Sequence, residues 1–252
     1  MNSILERSLL YNYNRLVLSW CDKELNEENL KIVKRIFERV VSSFQDEENQ
    51  KLVLSSLEKF PIDLAQRVFS HSQIESKRWI TEELSKLNIE SLGNTYLLGG
   101  WCGLINRYLD SSLNCSASMV YSFDLDSDVQ EYADILNSKE YRALTFKSII
   151  KDIRELNYEA DKVELHGGKV ENISCDTVIN TSCEHMDNSW LKSLPGGKLV
   201  IAQSNNHSTL EEHSFCSPSL KDFLGRLELN DVLYKGEIQL PEYKRFMVIG
   251  KK

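Results

Sequence analysis

The sequence has few residues that break or link structural elements, with 11 glycines and 4 prolines among 252 residues. It has no uninterrupted apolar run long enough to span a bilayer, so no membrane association is predicted. The six cysteines form no CxxC pair and have no histidine at zinc-like spacing, and the sequence therefore predicts neither a disulfide framework nor a metal site. We expect reduced, mostly buried thiols.

Charge and composition narrow the class of partner. The 30 basic and 38 acidic residues give a formal net charge of −8, which would repel a phosphate backbone, so a nucleic acid substrate is disfavoured. At 41% hydrophobic residues the chain can bury a core and form one or two domains. The amino terminus, MNSILERSLLYNYN, lacks a cationic region followed by a cleavage site, and a cytoplasmic location is expected.

The first part of the chain, residues 1–90, has helical periodicity. Apolar residues recur at intervals of three and four, which places them on one helix face: Leu9, Leu10, Tyr13, Leu16, Val17 and Trp20. Asn26 followed by Glu27 and Glu28 indicates the start of a second helix, because its side chain can cap free N–H groups. We predict an all-helical amino-terminal domain that supplies a lid and substrate selection.

Residues 91–252 alternate between short β-prone runs and helical patterns, which is typical of a parallel sheet with crossover helices. The predicted strands are 95–99, 118–124, 145–150, 176–180 and 198–203, followed by a helix near 219–227 and strands 232–240 and 244–250. Only PEY separates the last two strands, so they must be antiparallel. The predicted fold is α/β, a Rossmann-like open sheet that is mostly parallel and ends in an antiparallel hairpin.

A glycine-rich turn and an acidic strand end carry the main chemical signal. Gly99, Gly100 and Gly103 lie between the first predicted strand and a helix, where glycine allows close approach of a ligand to the backbone. The second strand ends in Asp124, whose carboxylate can accept both ribose hydroxyl groups of an adenosine-containing ligand. A tight strand-to-helix connection without a ligand is the alternative for the glycines.

Residues 95–252 resemble a class I S-adenosylmethionine (SAM)-dependent methyltransferase, in which these features occur in this order. The resemblance implies SAM as the cofactor. The residues that it places at the cofactor are Gly99, Gly100, Trp101, Gly103, Asp124, Leu125, Asp152, Ile153, Asn180 and Thr181. Two positions depart from the family pattern: Leu97 stands where an acidic residue is usual, and Trp101 replaces the middle glycine.

Several of these side chains have a structural alternative. Asp126 is expected to cap the helix that begins near Ser127, and Asp152 could start a helix of its own. Trp101 could press on a ligand or only pack the turn.

Candidate reacting groups follow the fourth and fifth strands. In the resembled fold, the loop after strand four borders the reactive sulfur, so Glu184 and His185 are predicted to take a proton from the acceptor. Gln203 and Asn205 are predicted to orient a polar substrate, as is Lys77 on the last helix before the sheet. The alternatives are a hydrogen-bonded surface histidine, a polar loop and a solvated lysine.

The resemblance predicts a methyltransferase that acts on a small-molecule acceptor. A nicotianamine synthase-like enzyme that transfers the aminocarboxypropyl group of SAM is the nearest alternative, because Leu97 alters the position that holds the amino acid arm. A noncatalytic partner-binding protein that retains the fold is a further alternative. A nicotinamide-dependent oxidoreductase is disfavoured, since GGWCG is not GxGxxG. The acceptor and the oligomeric state are not predicted.

Overall fold

The computed structural model describes residues 2–21, 27–111, 115–164 and 168–252, with side chains from residue 7 onward. The chain forms two compact units, Met1–Trp79 and Ile80–Lys252. The division lies inside a helix, His71–Lys86, whereas the sequence pattern changes after that helix. A functional division at residue 90 stays a prediction. No helix within the described ranges is both long and apolar enough to cross a membrane.

The first unit is helical. Its elements are α1 (Asn2–Cys21), α2 (Glu27–Ser43), α3 (Glu47–Leu57), α4 (Ile62–Val68) and the beginning of α5 (His71–Lys86). Leu16 of α1 and Val33, Ile36 and Val40 of α2 are fully buried, as helical spacing requires, but Leu10 is exposed. The predicted cap Asn26 lies outside the described residues, and Glu27 and Glu28 form the first turn of α2.

The second unit contains nine strands in the described residues. The strands are β1 (Ser91–Leu98), β2 (Ser116–Asp124), β3 (Phe146–Ile150), β4 (Asp161–Glu164), β5 (Val170–Ile173), β6 (Thr177–Asn180), β7 (Leu199–Asn205), β8 (Asp231–Gln239) and β9 (Lys244–Lys251). The helices after α5 are α6 (Leu104–Ser111), α7 (Gln130–Leu136), α8 (Ser138–Arg142), α9 (Ser189–Lys192) and α10 (Leu220–Leu227).

Seven strands form one sheet in the order β3-β2-β1-β6-β7-β9-β8. The first five are parallel, and β9 runs antiparallel to both β7 and β8. The predicted open sheet with a closing hairpin is therefore confirmed. The small antiparallel sheet of β4 and β5 was not predicted, because these strands have only four residues each and contain few apolar residues, Val163 in β4 and Val170 and Ile173 in β5.

Strand β1 lies at the point where the strand order reverses. Leu98 at its end is aligned with Phe123 of β2 on one side and Asn180 of β6 on the other. The carboxyl ends of these three strands consequently meet at one edge, which is where open α/β sheets bind ligands. Tyr96, Leu98 and Phe123, together with Trp190 of α9, are fully buried in the core of this unit.

The cysteines are free thiols, and five of the six are buried, as the sequence predicted. Burial raises the pKa of the thiols of Cys115 and Cys175 to about 11, so both are protonated at neutral pH. A reactive thiol needs a lowered pKa, and these two therefore have a packing role.

Candidate functional site

The turn after β1 combines three left-handed residues. Gly99 has φ +59°, Gly103 has φ +66°, and Trp101 between them has φ +48°. The amide of Gly103 donates to the carbonyl oxygen of Gly100 over 2.8 Å, and the amide of Gly100 donates to Phe123 at the end of β2 over 3.2 Å. A left-handed conformation costs a non-glycine residue about 1 kcal/mol, so Trp101 is held there by the surrounding bonds.

Asp124 is bonded directly to this turn. Its Oδ2 accepts a hydrogen bond of 2.8 Å from the backbone N–H of Trp101, and its Oδ1 accepts one of 3.0 Å from Asp126. The structure thus brings together the glycine turn and the carboxylate that were predicted to share a site. Each carboxylate oxygen has a second acceptor position, so Asp124 retains capacity for two hydroxyl donors.

A shallow recess of about 200 Å³, open to solvent, lies beside Asp124. It is lined by Trp101, Ser122, Asp124, Asp126, Val129, Gln130, Ser148, Ile149 and Ile150. Because the recess is open to solvent, a nucleoside cofactor bound there would be only partly enclosed. Leu125 lies next to Asp124 in sequence and is 65% exposed, so its side chain is available to a ligand.

Two glycines of the turn are required by contacts within the chain itself. A Cβ on Gly100 would lie 2.0 Å from Ser122 Oγ, and one on Gly103 would lie 2.7 Å from Asn137 Nδ2. The sequence predicts close approach by a ligand, with a tight strand-to-helix connection as the alternative. At Gly100 and Gly103 neighbouring side chains already fill the space, as that alternative requires, and contact with a cofactor stays a prediction.

Buried Asn137, which sequence reasoning missed, anchors the turn to the next helices. Its Nδ2 donates to the carbonyl oxygen of Gly103 over 3.3 Å, while its Oδ1 accepts bonds of 3.0 Å from both Asn106 and Arg107 of α6. Asparagine between two short helices gives no distinctive pattern in the sequence.

The loop after β6 covers the third glycine. A Cβ on Gly99 would lie 3.1 Å from Met186 Cε and 3.3 Å from Ser182 Cβ. Asn180 holds this loop: its Oδ1 accepts the Ser182 amide over 2.9 Å, and its Nδ2 lies 3.1 Å from Met186 Sδ. Asn180 is fully buried, and within the described residues its side chain bonds only to this loop. The carbonyl oxygen of Thr181 accepts a hydrogen bond from Arg245.

Asp152 follows β3 and pairs with Arg154. Its carboxylate accepts bonds from the Arg154 side chain at 3.0 Å and from the Arg154 amide at 2.9 Å, which caps a single 3₁₀ turn that begins at Ile153. The side-chain bond from Arg154 lowers the pKa of Asp152. These contacts match the alternative given above, in which Asp152 starts a helical turn of its own. Asp126 likewise accepts the amide of Asp128 and caps the next turn, as predicted.

Glu184 belongs to a buried polar network that includes two other predicted residues. Its Oε1 accepts bonds of 2.7 Å from Asn205 Nδ2 and 2.9 Å from Arg245 Nη1. The Nε of Arg245 lies 3.4 Å from Gln203 Oε1. Burial lowers the pKa of Arg245, whereas the nearby Glu184 carboxylate raises it. The net effect is a raised pKa. Proton transfer by Glu184 stays a prediction, and its carboxylate acts here as a fixed partner of a guanidinium.

Sequence reasoning missed Arg245. It occupies β9 directly opposite Asn205 of β7, between the exposed Lys244 and the buried Phe246, and its own side chain is buried. Its position gives little signal, because Arg245 follows Lys244 and only precedes the apolar run FMVI, so the sequence does not show that this guanidinium is buried and needs an anionic partner.

His185 lies at the surface beside a second histidine that was not predicted as a site residue. The rings of His185 and His213 are edge to face with centroids 4.6 Å apart.

Two backbone bonds hold the segment after β7. The Phe215 amide donates to the Glu184 carbonyl oxygen over 2.9 Å, and the Ser217 amide donates to the Asn205 carbonyl oxygen at the same distance. These bonds bring the segment after β7 against the loop after β6, which sequence spacing alone could not predict.

Lys77 lies in the first unit, on α5. Its side chain is buried, as is that of Trp79, so the alternative of a solvated lysine is wrong. A substrate contact for Lys77 stays a prediction.

Comparison with known proteins adds information on the fold. No protein-family model matches the sequence, and no curated protein matches it. Magnesium protoporphyrin IX methyltransferase from Synechocystis PCC 6803, solved with bound S-adenosylhomocysteine (SAH), is similar at 12% identity with a TM-score of 0.50, covering 90% of this chain and 95% of that one. A possible exported protein from Bordetella parapertussis is similar at 10% identity and a TM-score of 0.50, with 100% and 96% covered.

The strand order and this likeness define the class of fold. The second unit has the Rossmann-like fold of class I SAM-dependent methyltransferases, with its mostly parallel sheet and antiparallel terminal hairpin. At such low identity the likeness concerns the fold, and the activity has to be argued from the residues.

Proposed function

We propose that the protein is a SAM-dependent methyltransferase that acts on a small-molecule acceptor. The hydrogen bond between Asp124 Oδ2 and the Trp101 amide carries this proposal, because it joins the carboxylate to the turn at the edge where the strand order reverses. Bound SAM supplies an electrophilic methyl group. The chain has to hold it, align an acceptor with it and exclude water.

The residues beside the recess fit the nucleoside end of such a cofactor. Asp124 has two spare acceptor positions for the ribose hydroxyls, and the exposed Leu125 offers an apolar surface to adenine. Ile149 and Ile150 line the same recess with apolar side chains. The net charge of −8 favours a small acceptor over a nucleic acid.

The test is calorimetric titration of the full chain with SAH. We expect Asp124→Ala to weaken SAH binding at least tenfold, since two hydrogen bonds to a charged acceptor are lost. Asp126→Ala is the matched control, because Asp126 also accepts a loop amide and lines the same recess. Circular dichroism establishes that both variants are folded. No binding of SAH to the folded wild-type chain would overturn the proposal and favour a noncatalytic role. Unchanged affinity in Asp124→Ala would overturn the placement of the ribose at this carboxylate, on which the proposal depends.

Aminocarboxypropyl transfer is the second candidate, and the environment of Leu97 favours it. Leu97 is 1% exposed, packs beneath Gly100 and presents no carboxylate at the place where the family usually holds the amino acid arm. Incubation with labelled SAM and cell extract distinguishes the two reactions by mass spectrometry. Methyl transfer leaves SAH, whereas aminocarboxypropyl transfer leaves methylthioadenosine.

A further inference from the structure

Three potential metal ligands converge at the loop after β6. Glu184, His185 and His213 can each offer one ligand atom so that the three atoms lie within 4.8 Å of one another. Ligands at right angles around a first-row divalent ion, with bonds of about 2.1 Å, are separated by roughly 3 Å. Small rotations of the exposed His185 and half-buried His213 side chains would therefore close the set around an ion.

The hydrogen bonds of the two imidazoles prepare them for coordination. His185 Nδ1 lies 3.1 Å from the Glu212 carbonyl oxygen, and His213 Nδ1 lies 2.8 Å from the His207 carbonyl oxygen. A carbonyl oxygen only accepts, so each Nδ1 must carry the proton. In the neutral ring, Nε2 then has a free lone pair, which is the arrangement found in histidines that bind metals.

The buried carboxylate of Glu184 gives independent evidence for a cation at this place. Its Oε1 is used by Asn205 and Arg245, but the buried Oε2 has no hydrogen-bond partner in the described part of the chain. The Glu184 side chain is only 4% exposed, and an unpaired carboxylate oxygen at that depth is costly unless another group satisfies it. A cation between the carboxylate and the two imidazoles would do so.

We propose that Glu184, His185 and His213 bind one divalent transition-metal ion. Two imidazoles and one carboxylate suit Mn²⁺, Fe²⁺, Co²⁺ or Zn²⁺, whereas Mg²⁺ and Ca²⁺ prefer sites made of oxygen ligands. Three protein ligands leave coordination positions open to water or to oxygen atoms of a second molecule. The sequence predicted no metal site, because His213 is remote along the chain and reaches Glu184 and His185 only through the fold.

The experiment titrates chelator-treated full chain with Mn²⁺, followed by calorimetry and by the electron paramagnetic resonance signal of the free ion. We expect one saturable ion per wild-type chain, and at least tenfold weaker binding in His185→Ala and in His213→Ala. The control is His71→Ala, because this exposed histidine begins α5 in the first unit and lies outside the three-ligand cluster. It should change Mn²⁺ affinity less than threefold.

The histidine variants are preferable to a change at Glu184, which would leave the buried charge of Arg245 unpaired. A folded wild-type chain without saturable binding of Mn²⁺ or Zn²⁺ would overturn the proposal, as would equal affinity in all three variants. SAH titration of the same samples keeps the two proposals separate: loss of Mn²⁺ binding with unchanged SAH affinity concerns the metal site alone.

Discussion

Arg245 Nη1 lies 2.9 Å from Glu184 Oε1, a residue 61 positions earlier in the chain, and both side chains are 4% exposed. This ion pair connects β9 to the loop after β6. Arg245 also donates to the Thr181 carbonyl oxygen, so one guanidinium fixes both ends of the segment that precedes Glu184. The closing hairpin of the sheet therefore positions the loop in which the candidate reacting groups lie.

We predict that Arg245→Met lowers the free energy of unfolding by about 3–5 kcal/mol, because it leaves the buried Glu184 carboxylate without its cation. Urea denaturation followed by circular dichroism measures the change. Lys244→Ala is the control on the adjacent residue: Lys244 pairs with Glu237 at the surface, and its loss should cost less than about 1 kcal/mol.

A double variant, Glu184→Gln with Arg245→Met, removes both charges and should be more stable than Arg245→Met alone. A loss of less than about 1 kcal/mol in Arg245→Met would contradict this account of the pair.

The sequence was sufficient for the sheet because its signals are local. Apolar runs and a three-residue linker predicted seven strands and their closing hairpin, and the structure has all seven within a few residues of the predicted bounds. The strands β4 and β5 escaped prediction since their four-residue lengths contain too few apolar residues to give a pattern.

The site was only partly predictable, because its contacts join distant segments. Asp124 and the glycine turn were found from their spacing, but Arg245, His213 and Asn137 contact site residues only after folding. Met186 could not be recognised either: its side chain packs over Gly99, and its contact with Asn180 depends on the shape of the loop.

The backbone of Gly100 lies so close to Ser122 that we expect a larger residue at this position to destabilise the protein. The Cβ of Gly100→Ala would lie 2.0 Å from Ser122 Oγ and 2.9 Å from Leu97 Cγ, so we expect a loss of about 1–3 kcal/mol in the free energy of unfolding. Thermal and urea denaturation measure it. Gly225→Ala in α10 is the control, because nothing lies within 4 Å of its Cβ, and it should be neutral or stabilising by up to about 1 kcal/mol.

Adding Ser122→Gly to Gly100→Ala removes the closest clash and should recover part of the lost stability. If Gly100→Ala is as stable as wild type and only SAH affinity falls, Gly100 is required by the ligand, as the sequence predicts.

Met186 covers Gly99, which is one of the residues predicted to contact the cofactor. We predict that Met186→Ala increases SAH affinity about threefold to tenfold, since the ligand no longer has to displace a side chain that lies 3.1 Å from the Cβ position of Gly99. Titration calorimetry with SAH measures the change. Met119→Ala, a truncation of the same residue type earlier in β2, should reduce stability without changing SAH affinity, which separates relief of the turn from general loosening. Weaker SAH binding in Met186→Ala would instead mean that Met186 contacts the ligand, and that the loop after β6 forms part of the cofactor site as it stands.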